Sequence, residues 1–164
     1  MSNTSTNWLS TGEQAAWRAW LDTYRLLLPA LDRQLQSESQ ASFTDFEVLV
    51  QLSEVVGHRM RMSEIADRTI STRSAITRTV DRLVARGWVS RVRSTDDQRG
   101  FYAELTDLGT QVLQDMAPGH VAAVRANLID LLTESELASL QNIGEKVRSR
   151  IGGRGGGPAT DGSG

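Results

Sequence analysis

Arg61-Met62-Ser63-Glu64-Ile65-Ala66-Asp67-Arg68-Thr69-Ile70-Ser71-Thr72-Arg73-Ser74-Ala75-Ile76-Thr77-Arg78-Thr79-Val80-Asp81-Arg82-Leu83-Val84-Ala85-Arg86-Gly87 is the stretch that decides the fold. Met62, Ile65 and Ala66 fall on one side of a short helix, and Thr69-Ile70 makes a turn. Ser71 can then cap a second helix through its hydroxyl. In that helix Ile76, Val80, Leu83 and Val84 form an apolar stripe, and Gly87 is placed to end it. At about 100° per residue, Ser74, Arg78, Asp81 and Ala85 lie on the opposite side, flanked by Thr77 and Arg82. Two short strands follow, Trp88 to Arg93 and Phe101 to Thr106, joined by a polar loop ending Asp96-Asp97-Gln98-Arg99-Gly100. The pattern is a helix-turn-helix followed by a hairpin wing.

Charge separates this stretch from the rest of the chain. Ten arginines lie between Arg59 and Arg99 against five carboxylates, a net of +5, while the remaining eight basic and fifteen acidic residues carry −7. Such polarity orients a protein on a polyanion. A solvated surface in an arginine-favouring chain would give the same count, since Lys146 is the only lysine.

Working outward, Ser10-x-x-Glu13 and Thr11-x-x-Gln14 both read as capping boxes. They precede a long amphipathic helix through Trp17, Trp20, Leu21, Tyr24, Leu27, Leu28, Leu31 and Leu35. Pro29 lacks the amide that would bond the Arg25 carbonyl, so a kink or local break is expected there. Thr44-x-x-Glu47 is expected to cap a second helix through Phe46, Leu49, Leu52 and Val56, stopping near Gly57. Beyond the wing, Thr106 and Asp107 open a helical pattern that Pro118-Gly119 kinks or breaks, and Thr133-x-x-Glu136 caps a last helix bearing Leu137, Leu140, Ile143, Val147 and Ile151. The expected organisation is a flexible terminus at 1–9, a helical dimerisation region from 10–36 and 107–151, a DNA-binding region at 44–106, and a disordered glycine-rich tail at 152–164. The fold class is mainly α, a winged helix-turn-helix with a small β-hairpin wing and N- and C-terminal dimerisation helices.

Composition excludes several functions. With 164 residues and 39% hydrophobic content the chain can bury one core. The absence of cysteine excludes disulfides and thiolate metal sites. Residues 1–7 carry no basic residue and lead into no apolar run of signal-peptide or membrane-span length, so a cytoplasmic protein with no membrane role is expected. No phosphate-cradling glycine loop or zinc-type spacing is present, and the two histidines, His58 and His120, stand far apart. An enzyme, a metal or another cofactor is therefore not expected.

The motifs Arg61 to Ala66, Ser74-Ala75-Ile76-Thr77-Arg78, Val80-Asp81-Arg82-Leu83, Gly87-Trp88-Val89-Ser90-Arg91, Asp97-Gln98-Arg99-Gly100 and Leu105-Thr106-Asp107-Leu108-Gly109, in this order, resemble the MarR family of bacterial transcription regulators. The resemblance spans nearly the whole chain. It implies a homodimer with intertwined terminal helices, two winged lobes on a palindromic operator in double-stranded DNA, and repression relieved by a small, frequently phenolic, ligand. It departs at Thr69-Ile70, where many relatives carry glycine followed by an apolar residue.

Short polar groups suit the first turns of a recognition helix, whose amides and dipole favour phosphate. Ser71, Arg73, Ser74, Thr77 and Arg78 meet that requirement. Arg78 is the prime residue for a base contact, because a guanidinium can bond guanine through two parallel hydrogen bonds. Arg73 points toward the buried side by helical angle, and its place in the first turn is what would bring it to phosphate. Arg91, Arg93, Asp97 and Arg99 are the wing candidates, and in the resembling family the arginine matching Arg99 enters the minor groove while the aspartate matching Asp97 holds it. Trp20, Tyr24 and Phe46 are candidates for a ligand pocket, although helical spacing suits them equally to packing. A winged-helix module that binds another protein remains the competing reading, and it would need no arginines shared between wing and recognition helix.

Overall fold

The computed structural model of the protein describes residues 6–69, 71–93 and 100–152. Ser10 opens the first helix, α1 (Thr11–Ser39), as the sequence predicts: its hydroxyl accepts from the Glu13 amide at 3.3 Å, and the Glu13 carboxylate accepts from the Ser10 amide at 2.7 Å. Hydrogen bonds to the carboxylate from the Ser10 amide and hydroxyl hold the exposed Glu13 carboxyl below its usual range. Of the kink or local break expected at Pro29, no break occurs, and the helix runs through it. One lost hydrogen bond is outweighed because Leu31 and Leu35, just beyond the proline, are buried and anchor the C-terminal turns.

The second helix, α2 (Phe43–Ser53), starts one residue before Thr44 and is capped by Ser42, not by the Thr44 to Glu47 box. Asp45 accepts from the Ser42 amide at 2.8 Å and Ser42 Oγ accepts from the Asp45 amide at 3.1 Å, while Asp32 on α1 accepts the Phe43 amide at 2.7 Å. These contacts fix the start of α2 against α1 before Thr44 can act. A 3-10 turn at Val56–His58 leads to a strand absent from the sequence reading, β1 (Arg59–Arg61).

Next come α3 (Met62–Arg68), α4 (Arg73–Ala85), β2 (Val89–Arg93) and β3 (Phe101–Leu105), the strands forming an antiparallel sheet in the order β1-β3-β2. Thr72, not Ser71, caps α4 by accepting from the Ala75 amide at 3.3 Å. The buried stripe of α4 is Ile76, Thr79, Val80 and Leu83, and Val84, expected inside, is 36% exposed at its margin. With Val48, Leu49 and Leu52 of α2, Ile65 of α3 and Met60 and Ala103 of the sheet, that stripe forms the core. Gly87, at φ +74°, reverses the chain after α4, and the Trp88 amide bonds the Leu83 carbonyl at 3.0 Å. The next helix, α5 (Asp107–Asn127), passes so close that a Cβ at Gly109 would lie 2.0 Å from the Trp88 carbonyl oxygen. Pro118 lies inside α5 and does not break it; the break falls at Leu128.

The chain divides into two compact units, one ending at Ala123 and the other beginning at Val124. The second holds the end of α5, a 3-10 turn at Ile129–Leu131 and α6 (Glu134–Gly152). Thr133 and Glu136 cap α6 as expected. Ile143, Val147 and Ile151 are all exposed.

Asp45, 1% exposed, is the one buried acid among the described residues. Arg82 of α4 reaches it with Nη2 at 2.6 Å and Nε at 3.1 Å from Oδ1. The same carboxylate therefore caps α2 and holds α4. Arg82→Ala is expected to cost about 2 kcal/mol in urea unfolding, less than the roughly 3–5 of a fully buried pair, because the arginine side chain is 43% exposed. Replacing both partners by alanine should cost less than the sum of the single changes.

His120 of α5 packs on Phe46, ring centroids 4.2 Å apart, and its Nδ1 is buried with no hydrogen-bond partner. Desolvation lowers its pKa, so the folded state favours the neutral ring. The stabilisation is full above the unfolded value of about 6.5 and is lost as pH falls through the lower folded value, because the unfolded chain takes up the proton first. His120→Phe is expected to flatten the fall in urea midpoint between about pH 7.5 and 5.5, and an unchanged slope would assign that fall to other groups.

Candidate nucleic-acid interface

One face of α4 is left uncovered by the core. Ser74, Thr77 and Arg78 are exposed there, together with Asp81. The helix presents this face because Ile76, Thr79, Val80 and Leu83 occupy the other, while Arg82 on its flank is tied to Asp45. Thr72 and Ser74 hydroxyls lie 3.2 Å apart at the N-terminal end, where backbone amides and the helix dipole favour an anion.

The predicted site residues separate into groups. Arg73 is 78% exposed in its side chain, not turned toward the core, and stands 3.9 Å from Asp67. Ser71 precedes α4 and is half-buried. Arg91 of β2 pairs with Asp81 of α4, joining the base of the wing to the recognition helix. Arg93, at the end of β2, is exposed. Asp97 and Arg99 lie outside the described residues.

A cavity of about 360 Å³ occupies the notch between α4 and the wing, lined by Arg61, Met62, Ser63, Thr77, Arg91, Gly100 and Phe101. Sequence reasoning counted Arg59 and Arg61 in the basic stretch but did not single them out as site residues, and Arg61 lines this cavity. The signal was present in Arg59-Met60-Arg61, where charged residues alternate about an apolar one, but three residues are too few for a strand reading.

The pocket candidates do not converge. Tyr24 lines a second cavity, about 330 Å³, with Leu28, Pro29, Asp32, Phe43, Thr44, Glu47 and Ser71. Trp20 is 48% exposed and is not in that lining, and Phe46 is 9% exposed beneath His120. Among the described residues no cluster of histidine or acidic side chains could hold a metal ion, and no helix is long and apolar enough to cross a membrane.

This arrangement has close relatives of known structure. A regulator of Streptomyces coelicolor, Sco3205, solved in complex with DNA, superposes with a TM-score of 0.84 at 40% identity, covering 90% of this chain and 92% of that one. In sequence, the chain is 30% identical over 128 residues to the transcriptional repressor MdtR of Bacillus subtilis, covering 75% of this chain and 82% of the repressor. It is 31% identical over 100 residues to the repressor YetL of the same organism, where the match covers 61% of this chain and 60% of YetL. The sequence model of the MarR family matches residues 42–101, from the cap of α2 to the start of β3. Fold, motif order and relatives agree, and the chain belongs to the MarR family of transcriptional regulators.

Proposed function

We propose that this chain is a sequence-specific DNA-binding repressor that acts as a homodimer and is released from its operator by a small, aromatic effector. The observation that carries the DNA reading is the exposed Ser74, Thr77 and Arg78 face of α4, beside a wing whose strand β2 brings Arg91 and Arg93. Arg78 would read a base edge in the major groove, and the hydroxyls would bond phosphates or bases. The complex of Sco3205 with DNA supports the same use of the fold. A purely protein-binding winged helix is not favoured by membership of a regulator family.

Dimerisation is supported by apolar surface that each unit leaves open. Trp17, Trp20, Leu21 and Tyr24 on α1 are 44–54% exposed, and Ile143, Val147 and Ile151 on α6 are 49–68% exposed. Covering half of such a side chain contributes roughly 1 kcal/mol, so the set is large enough to hold a partner copy. The effector would enter beside Tyr24, whose cavity has both apolar walls and the Asp32 and Glu47 carboxyls. Because Ser71, just ahead of α4, lines the same cavity, an occupant there would bear on the start of the recognition helix.

Fluorescence titration of a labelled duplex spanning the operator tests this reading. Two protomers should bind per duplex, and log K should fall with log salt at about 0.9 per phosphate contacted. Arg78→Ala should weaken operator binding by about 1–3 kcal/mol and narrow the gap to unrelated DNA. One protomer per duplex with a flat salt response would defeat both the dimer and the DNA reading.

For the wing, Asp97 is proposed to brace Arg99 for a narrow minor groove, where an ordered arginine is rewarded by concentrated negative potential. Arg99→Ala should then weaken operator binding with little change in melting temperature. Asp97→Ala removes a negative charge near phosphate, so electrostatics alone would tighten binding, whereas bracing makes it weaker. In the Arg99→Ala background the Asp97 change should have no further effect, and tighter binding by the single Asp97 variant would refute the brace.

A further inference from the structure

The outer face of the three-stranded sheet carries a cationic pair that the reading above does not use. Strand alternation buries Met60, 2% exposed, and turns Arg59 and Arg61 together to the other face of β1. Both guanidinium carbons lie over one ring, Tyr102 of β3, at 5.5 and 5.2 Å from its centroid. Arg61 pairs in register with Tyr102, and Arg59 with Glu104. No carboxylate forms an ion pair with Arg59 among the described residues, Glu104 included.

We infer that Arg59 and Arg61, ordered by Tyr102, form a clamp for the sugar-phosphate strand of the duplex that runs between the groove read by α4 and the groove that receives the wing. The inference rests on the DNA-binding reading. A duplex that takes α4 in its major groove and the wing in the neighbouring minor groove must pass the intervening phosphate strand across the notch between them. Arg61 lines that notch with Thr77 of α4 and Arg91 of β2. Arg59 continues the positive charge one pleat along the same strand. Edge strands are commonly protected by charge, and single cations suffice for that. Two guanidiniums over one ring repel each other, and an anion placed against the pair relieves the repulsion while the ring limits their motion.

Phosphate contacts carry no sequence information, which sets the test. The probes are a labelled random-sequence duplex and a duplex enriched from that pool by the wild-type protein, each titrated over a range of salt. Arg59→Gln with Arg61→Gln is expected to lower the slope of log K against log salt by about 0.9 for each phosphate released, counted over both lobes. At about 0.15 M salt this corresponds to roughly five-fold weaker binding per phosphate, equal on both probes. The single Arg59→Gln change, at an exposed side chain, should give part of the same loss if the double variant does not fold. Glu104→Gln, which removes the negative charge from this face, should tighten binding to both probes. Unchanged slopes with wild-type affinity would overturn the clamp and leave the DNA-binding reading standing. A loss confined to the enriched duplex would overturn it in favour of base reading. Absence of salt-dependent binding by the wild-type protein would remove the clamp and the proposed function together.

Discussion

The position of α4 depends on one buried carboxylate. Asp45 lies where the cap of α2 meets the middle of α4, and it satisfies the Ser42 amide and the Arg82 guanidinium at once. A charge this deep is tolerable only with both partners in place, so α2 and α4 have a narrow range of mutual geometries. Packing of Ile76, Val80 and Leu83 against Leu49 and Leu52 supplies most of the stabilisation, but apolar contacts are non-directional. The ion pair supplies direction, because a guanidinium binds a carboxylate in a plane. Which side of α4 faces outward, and hence which side chains meet a ligand, follows from that restraint.

Periodicity made the helices legible, and local chemistry explains where it failed. The sequence offered Thr44 to Glu47 as the cap of α2, and the Ser42 to Asp45 cap went unread because the Asp32 contact that seats the start of α2 comes from α1, eleven residues away in sequence. The Asp45 to Arg82 pair spans 37 residues, and neither residue type signals its partner. At Pro29 and Pro118 the missing amide costs one bond, and neither helix breaks, because buried side chains nearby, Leu31 and Leu35 in one and Met116 in the other, hold them. Of the kink or break expected at Pro118-Gly119, no break occurs there; the helix ends at Leu128, where φ −142° and ψ −61° leave the helical region before the Thr133 cap starts α6.

The recognition helix was legible as a surface and less so as a set of contacts. The outward positions Ser74, Thr77, Arg78 and Asp81 came directly from helical angle. Arg73 did not follow it, because a first-turn side chain has no preceding turn to pack against and extends into solvent toward Asp67. The pocket candidates failed to converge for a related reason. Helical spacing places Trp20 and Tyr24 on one stripe, but only the turns of α1 near Pro29 face α2, so Tyr24 reaches a cavity while Trp20 remains on open surface.

Charge counting gives the right sign for this region and the wrong inventory. Of the ten arginines between Arg59 and Arg99, Arg82 is committed to Asp45 and Arg91 to Asp81. Arg86 donates to the Gln40 carbonyl at 2.8 Å and covers the Trp88 ring. These three join α4 to α2, to the wing and to the end of α1, so their charge is partly spent within the fold. Arg78 and Arg93 form no ion pair with the carboxylates of the described residues and project from the surface. A net charge read from sequence cannot make that division, because it depends on which acids the fold brings within reach. The wing is therefore coupled to the recognition helix through Asp81 and Arg91, and whatever displaces one element loads the same ion pair that holds the other.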